Sequence, residues 1–119
     1  MGRTRTFLIE QVCDVVRDLV LTRGYDAVGI EDIVRATGIG RGSLYQAFGS
    51  KAVLVARTVT DAADRRDPRR AELAALLLAS SAAGDPDVRS ALSLCLDTIE
   101  EPLGTTLGTA LLNRFTAKD

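Results

Sequence analysis

Thr37-Gly-Ile-Gly-Arg-Gly-Ser-Leu-Tyr-Gln-Ala-Phe48 is the stretch that decides the fold of this 119-residue chain. One amphipathic segment, residues 30–36, precedes it, and another, residues 50–56, follows it. Its early glycines predict a tight turn, and Leu44 and Phe48, four residues apart, predict a short helix with one inward side. Two helices joined by such a turn can place the second helix in the major groove of DNA. The stretch therefore predicts a helix-turn-helix that contacts DNA.

The rest of the chain predicts an all-α fold. Apolar residues recur at three- and four-residue spacing, and glycines and prolines separate the periodic segments. Six helices are expected, over about residues 4–23, 29–37, 41–48, 50–66, 68–83 and 88–100. Leu103, Leu107 and Leu111 share a further helical stripe that glycines interrupt. We predict a three-helix, helix-turn-helix DNA-binding domain over residues 1–50. A short helical C-terminal bundle follows over residues 51–119, with helix 4 as linker and a role in dimerisation or ligand binding.

The composition argues against an enzyme and against a metal site. The chain has no histidine, and its two cysteines, Cys13 and Cys95, each lie among apolar neighbours. Two cysteines without histidine cannot complete a structural zinc site, so we interpret both as small buried hydrophobes in a reducing compartment. No paired-carboxylate or nucleophile motif is present. We therefore expect no catalytic residue, no metal and no cofactor.

Charge and hydropathy indicate where the chain acts. Residues 1–57 hold eight Lys and Arg against six Asp and Glu, a net charge of +2, whereas residues 58–119 hold seven against ten, a net charge of −3. A mildly basic first half is typical of DNA contact, although the bias is small. The longest apolar run, residues 73–79, is too short to cross a bilayer, and no secretory segment is recognisable. These features predict a cytoplasmic protein without a membrane partner.

Two cations near helix 3 occupy positions where a positive charge destabilises the helix that carries it. Arg41 and Lys51 each lie in the first turn of a predicted helix, beside the positive end of its dipole. A solvated, screened cation is the alternative interpretation. A phosphate would reverse the sign of both interactions and would also accept hydrogen bonds from free helix N–H groups. We therefore expect both residues to contact the DNA backbone.

The outward side of helix 3 carries the other candidate contacts. Gln46 can pair its amide with adenine, unless it is simply solvated. An exposed Tyr45 can place its hydroxyl on a phosphate and its ring on a base edge or sugar. Ser43 is either a phosphate or base contact or a solvated residue. Gly42 either packs tightly against helix 2 or leaves room for the backbone to approach DNA.

Arginines occur at two further places. Arg3 and Arg5 precede helix 1 in a short arm, which either enters the adjacent minor groove or is a disordered terminus. A denser basic cluster, within residues 65–70, lies beyond helix 4, and we interpret it as solvated linker. The predicted DNA-contact residues are Arg41, Gly42, Ser43, Tyr45, Gln46, Lys51, Arg3 and Arg5.

Residues 5–58 resemble a known family. The segments that carry the resemblance are Arg23-Gly-Tyr25, Ile30-x-x-Ile-Val-x-Ala-x-Gly-Ile39 and Gly42-Ser-Leu-Tyr-x-x-Phe-x-Ser-Lys51. Together they are similar to the N-terminal DNA-binding domain of TetR/AcrR-type transcriptional regulators. The resemblance implies an all-α homodimer that binds a palindromic operator in double-stranded DNA and is released by a small-molecule inducer. It also implies DNA contact by the six positions named above between residues 41 and 51.

Three features depart from that family pattern. Helix 2 usually begins with Ser or Thr, which touches phosphate; Val28 and Gly29 stand here, so this contact is backbone-only or lost. Gly40 replaces the Ser or Thr that often caps helix 3 and is a weaker cap. Family members usually continue with long C-terminal helices that build the dimer interface. We therefore expect that the C-terminal part dimerises in another way, or that the chain is a truncated product.

These observations favour a DNA-binding transcriptional regulator rather than an enzyme, and most simply a repressor that acts as a dimer. The alternative is a truncated interaction module that heterodimerises with a full-length relative and antagonises its DNA binding.

Overall fold

The fold is described from a computed structural model, which covers the backbone of residues 2–99 and the side chains of residues 8–99. Over these residues every regular element is helical, as predicted. Six α-helices and one 3-10 helix follow one another as α1 (Gly2–Arg23), α2 (Ile30–Thr37), α3 (Arg41–Phe48), α4 (Lys51–Asp64), α5 (Arg70–Leu78), the 3-10 helix (Ser81–Gly84) and α6 (Pro86–Asp97). The helix-turn-helix, α2 and α3, is thus followed by a helical C-terminal part.

Local capping signals account for most of these boundaries. Gly24 and Gly38 both adopt left-handed backbone conformations, with φ of 85° and 77°, which glycine reaches without steric cost. Their N–H groups donate to carbonyls four residues earlier and so end α1 and α2. The Ser50 hydroxyl accepts the Val53 N–H at 3.1 Å and caps α4, and Asp85 caps α6 in the same way.

Three helices end at residues other than those predicted. The predicted fifth helix, residues 68–83, is wrong as a single element, because α5 ends at Leu78 and a separate 3-10 helix follows. Ser80 causes this break, since its backbone is extended and its hydroxyl accepts the Ala82 N–H at 3.1 Å. The fourth and sixth helices end at Asp64 and Asp97, earlier than predicted. The leucine stripe beyond residue 100 lies outside the described residues.

Helix α4 lies at the centre of the packing and contacts α1, α3, α5 and α6. It contributes Leu54, Val55 and Val59, which are almost fully buried. The buried apolar side chains of α1, α2, α3, α5 and α6 join them in one continuous cluster. Helix α3 therefore packs on the same core as the C-terminal helices. The domain boundary that was predicted at residue 50 remains a prediction.

The arginines of residues 65–70 form a joint in the fold rather than the solvated linker that was predicted. Arg66 and Arg70 both donate to the carbonyl oxygen of Thr98, at 2.8 Å and 3.0 Å. Arg65 pairs with Asp14 of α1 at 2.6 Å. These contacts hold the segment between α4 and α5 against the end of α6 and against α1. The arginines have these partners because folding brings acceptors from distant parts of the chain next to them.

One ion pair in this joint is largely buried. Arg17 Nη1 of α1 lies 2.8 Å from Asp67 Oδ2, and the two side chains are 20% and 9% exposed. Burial raises the pKa of Asp67, but the Arg69 N–H and the Arg17 guanidinium outweigh it, so that the pKa lies below its ordinary value. Asp67 is therefore charged in the folded protein throughout the neutral range.

Asp67→Asn is expected to lower the free energy of unfolding at pH 7 by about 2 kcal/mol, because the partly buried Arg17 loses the most buried of its carboxylate partners. A lowered folded-state pKa stabilises the fold above the unfolded pKa of about 3.9, and this contribution is lost as pH falls through the folded value. The difference between wild type and variant should therefore shrink below about pH 4. Urea unfolding of wild type and variant, at pH 7 and below about pH 4, measures this difference.

Asp18→Asn is the matched control, since Asp18 pairs with the same Arg17 but is 59% exposed. Its effect should stay below about 0.5 kcal/mol. An Asp67→Asn effect that is equally small, or one that does not depend on pH, would contradict a stabilising buried pair.

Candidate nucleic-acid interface

The turn between α2 and α3 is short and internally bonded. Thr37 Oγ1 donates to the Ile33 carbonyl at 2.7 Å and accepts the Ile39 N–H at 3.1 Å. Gly38 then reverses the chain, and Gly40 precedes α3 in an extended conformation without a side-chain cap. The turn therefore holds α3 at a fixed angle to α2, and the weak Gly40 cap predicted from the sequence is present.

Helix α3 is held to the core by one side of its surface. Leu44 is its one buried residue, at 2% exposure, and Phe48 packs half-buried against the same core. Because positions four apart lie on one side of a helix, these two residues fix which side faces inward. The opposite side, centred on Gly42 and Gln46, faces solvent.

The candidate contacts on α3 all lie at exposed positions, as their sequence spacing predicted. Tyr45 is 42% exposed although it is aromatic, and Gln46 and Ser43 are also exposed. A tyrosine usually hides more of its ring in a folded monomer. The side of α3 that faces solvent therefore offers hydroxyl and amide groups together with part of an aromatic ring.

Gly42 has open space where its side chain would be. Among the described residues, a Cβ atom at Gly42 would meet no heavy atom within 4 Å. Tight packing against α2, one of the two explanations considered for this glycine, is therefore excluded. Within α3 the glycine weakens the helix, and none of the described residues would clash with a Cβ atom at this position.

Arg41 does not stand free at the start of α3. Its guanidinium pairs with the carboxylate of Glu31, which lies in the first turn of α2. Both side chains remain more than half exposed. The pair thus spans the two helices of the helix-turn-helix on the solvent side, and the sequence analysis did not identify Glu31.

Lys51 is half-buried and bonded within the chain. Its Nζ donates to the Tyr25 carbonyl at 2.7 Å and lies 3.9 Å from the centre of the Tyr25 ring. Burial lowers the pKa of Lys51, although Asp26 and Asp32 act to raise it. Lys51 therefore fastens the start of α4 to the α1–α2 turn, and its ammonium group keeps two further donors for a phosphate.

At the start of α2, a carboxylate of the helix itself accepts a backbone N–H. The Gly29 N–H, which could have met a phosphate, donates instead to Asp32 Oδ2 at 2.8 Å. That N–H and the Arg35 guanidinium lower the pKa of Asp32. Val28, the other residue that replaces the usual Ser or Thr, is buried. The Gly29 N–H thus already has an acceptor within the chain.

Arg3 and Arg5 were predicted to lie in a short arm ahead of the first helix, and this prediction is wrong. The α1 backbone is helical from Gly2, so both residues lie in its opening turns. Their side chains are outside the described part of the chain. DNA contact by these two arginines stays a prediction.

Other kinds of site find no support in the part of the chain that the structure covers. Cys13 and Cys95 are both free and buried, and burial raises the pKa of Cys13 to about 11. Between residues 8 and 99 no three His, Cys, Asp or Glu side chains come together in a way that would hold a metal ion. Within the described helices none is long and apolar enough to cross a membrane.

A glycine turn followed by a short helix, held by one buried leucine and polar on its outer side, defines a helix-turn-helix domain. Comparison with known proteins shows which family it is similar to. Residues 14–58 match the profile of the family described as bacterial regulatory proteins, tetR family. Over these residues the chain is therefore similar to the TetR family, as the sequence resemblance indicated.

Two curated relatives each match about half of the chain. One is the HTH-type transcriptional regulator AlkX of Mycobacterium tuberculosis, which is 40% identical over 62 residues, covering 52% of this chain and 29% of the relative. The other is the HTH-type transcriptional repressor BdcR of Escherichia coli, which is 40% identical over 60 residues, covering 50% of this chain and 30% of the relative. The match thus spans less than a third of either relative, and no solved structure matches significantly.

Proposed function

We propose that this protein is a sequence-specific DNA-binding transcriptional regulator, most simply a repressor. The observation that carries the proposal is the polar outer side of α3, where Gly42 leaves open space beside the exposed Tyr45 and Gln46. Such a helix, fixed by Leu44 to a rigid core, fits the major groove. The names of the two relatives, a transcriptional regulator and a transcriptional repressor, support the same function.

The proposed contacts fall into two groups. Gln46 reads a base, because its amide can pair with both hydrogen-bonding groups of adenine in the major groove. Arg41, Lys51, Ser43 and the Tyr45 hydroxyl contact phosphates and so fix the register of α3 without reading sequence. The missing side chain at Gly42 lets the α3 backbone approach the duplex.

The assembly we propose follows from the family resemblance. Two protomers bind a palindromic operator, each with α3 in one major groove, and half-sites are one helical turn or a multiple of it apart. A small molecule bound by the helices after α3 releases the DNA.

Selection of bound duplexes from a random pool, followed by gel shifts, tests this function. Wild type is expected to select a palindrome, and Gln46→Ala to lose discrimination at one base pair per half-site, with affinity falling by about tenfold to a hundredfold. Gln11→Ala is the control, because Gln11 is also an exposed glutamine but lies on α1. It should change neither the discrimination between base pairs nor the affinity. Failure of the folded protein to enrich any sequence would contradict the proposal, and a stable monomer by light scattering would favour the interaction module.

A further inference from the structure

We infer that Glu31 restrains Arg41 and thereby weakens the sequence-independent part of DNA binding by this protein. The inference rests on the proposed function, because it concerns the same surface. It gives a role in binding to an acidic residue that no pattern in the sequence singled out.

The geometry of the pair makes Glu31 a competitor for phosphate. Glu31 and Arg41 belong to different helices, and their side chains are 59% and 56% exposed. Among residues 8–99 Arg41 has no other carboxylate partner. A phosphate that approaches the start of α3 must therefore share the guanidinium with Glu31 or displace it.

The neighbouring acid is differently placed. Asp32 accepts the Gly29 N–H and also pairs with Arg23 and Arg35, so its charge is balanced inside the helix-turn-helix whether or not Arg41 moves. Glu31 pairs with Arg41 alone among the described residues. When Arg41 turns to a phosphate, Glu31 is left without its partner beside a negatively charged backbone. The penalty falls on Glu31 and not on Asp32.

Such a penalty bears on specificity. Phosphate contacts supply most of the affinity for non-specific DNA and carry no sequence information. A carboxylate that offsets one of them lowers affinity for every duplex, and the base contacts of α3 then decide where the protein remains bound. Discrimination of this kind works by weakening the wrong complex rather than strengthening the right one.

The experiment compares E31Q with wild type in gel shifts over a salt series, using the selected palindrome and a scrambled duplex. Glutamine keeps the shape of Glu31 and removes its charge. We expect E31Q to bind both duplexes about three- to tenfold more tightly at low salt, with the scrambled duplex gaining at least as much. The slope of log affinity against log salt should steepen, by less than the value of about 0.9 for one phosphate fully neutralised, because Arg41 already neutralises part of that charge in wild type.

E72Q is the matched control, since Glu72 on α5 has the same 59% exposure and also faces an arginine, Arg69. It removes the same charge away from α3 and should leave affinity and slope unchanged. An equal gain for E72Q would mean that net charge alone is responsible and would overturn the inference.

R41Q and the double variant E31Q/R41Q test whether Glu31 acts through Arg41. R41Q should weaken binding and flatten the salt slope, and in its background E31Q should have no more effect than E72Q. An undiminished gain in the double variant would overturn the inference, as would an R41Q protein that binds like wild type. In both cases DNA binding by α3 still stands. If wild type selects no duplex at all, the proposed function fails as well, so the two failures are distinguishable.

Discussion

Leu44→Ala is expected to lower the free energy of unfolding by about 2–5 kcal/mol and to abolish operator binding at concentrations where wild type is saturated. Leu44 is 2% exposed and is the one buried residue of α3. Its removal leaves a cavity between α3 and the core, and the surrounding helices can close it only in part.

The loss of DNA binding follows from the shortness of α3. A helix of eight residues is unstable by itself in water, so its form depends on packing. Without Leu44 only the half-buried Phe48 holds its inner side to the core. Tyr45 and Gln46 would then no longer be presented at a fixed angle to the duplex, and the affinity lost should exceed what removal of either side chain costs.

Urea denaturation and gel shifts measure the two effects on the same preparation. Leu94→Ala provides the control, because Leu94 on α6 is 59% exposed and the same atoms are removed. That variant should stay within about 0.5 kcal/mol of wild type and should bind normally. If Leu44→Ala were as mild as Leu94→Ala, α3 would not depend on its inner side for its position.

Gly42 substitutions are expected to move stability and DNA affinity in opposite directions. Gly42→Ala should raise the free energy of unfolding by about 0.5–1 kcal/mol, because alanine is the better helix former and its Cβ would meet no neighbour within 4 Å. The same methyl group should weaken operator binding about tenfold, or about 1.4 kcal/mol, by keeping the backbone away from the duplex. Gly42→Leu should weaken binding further while the fold remains intact.

Thermal unfolding and gel shifts on both variants report the two quantities separately. Gly84 offers a matched position, since it too has open space around a built Cβ, and it lies in the 3-10 helix away from α3. Gly84→Ala and Gly84→Leu should leave DNA binding unchanged. Operator affinity that survives Gly42→Leu would show that nothing approaches α3 closely at this position.

The bounds of α3, Arg41–Phe48, were predicted correctly from the sequence. Gly38, Ser50 and Asp85 each act on backbone groups within four residues. Such signals can be predicted because they need only the local chain conformation. The break after α5 was missed, although it is also local, because Ser80 directly follows an apolar run that favours a continuous helix.

The partners of the charged residues could not be predicted in this way. Arg41 meets Glu31 ten positions earlier, and Lys51 meets the Tyr25 carbonyl 26 positions earlier. Nothing in the spacing of these residues indicates the pairs, since the turn and the packing of α4 bring them together. The same packing leaves open space around Gly42, which the sequence left as one of two alternatives.

By itself the sequence determined most of the helices and the polar outer side of α3, because periodicity and turn signals act over a few residues. Only the tertiary structure decided which cations are already paired, that Arg66 and Arg70 bind the end of α6, and that a side chain at Gly42 would meet none of the described residues. Those features depend on how the helices pack against one another. Packing brings together residues far apart in the chain, and no local pattern records it.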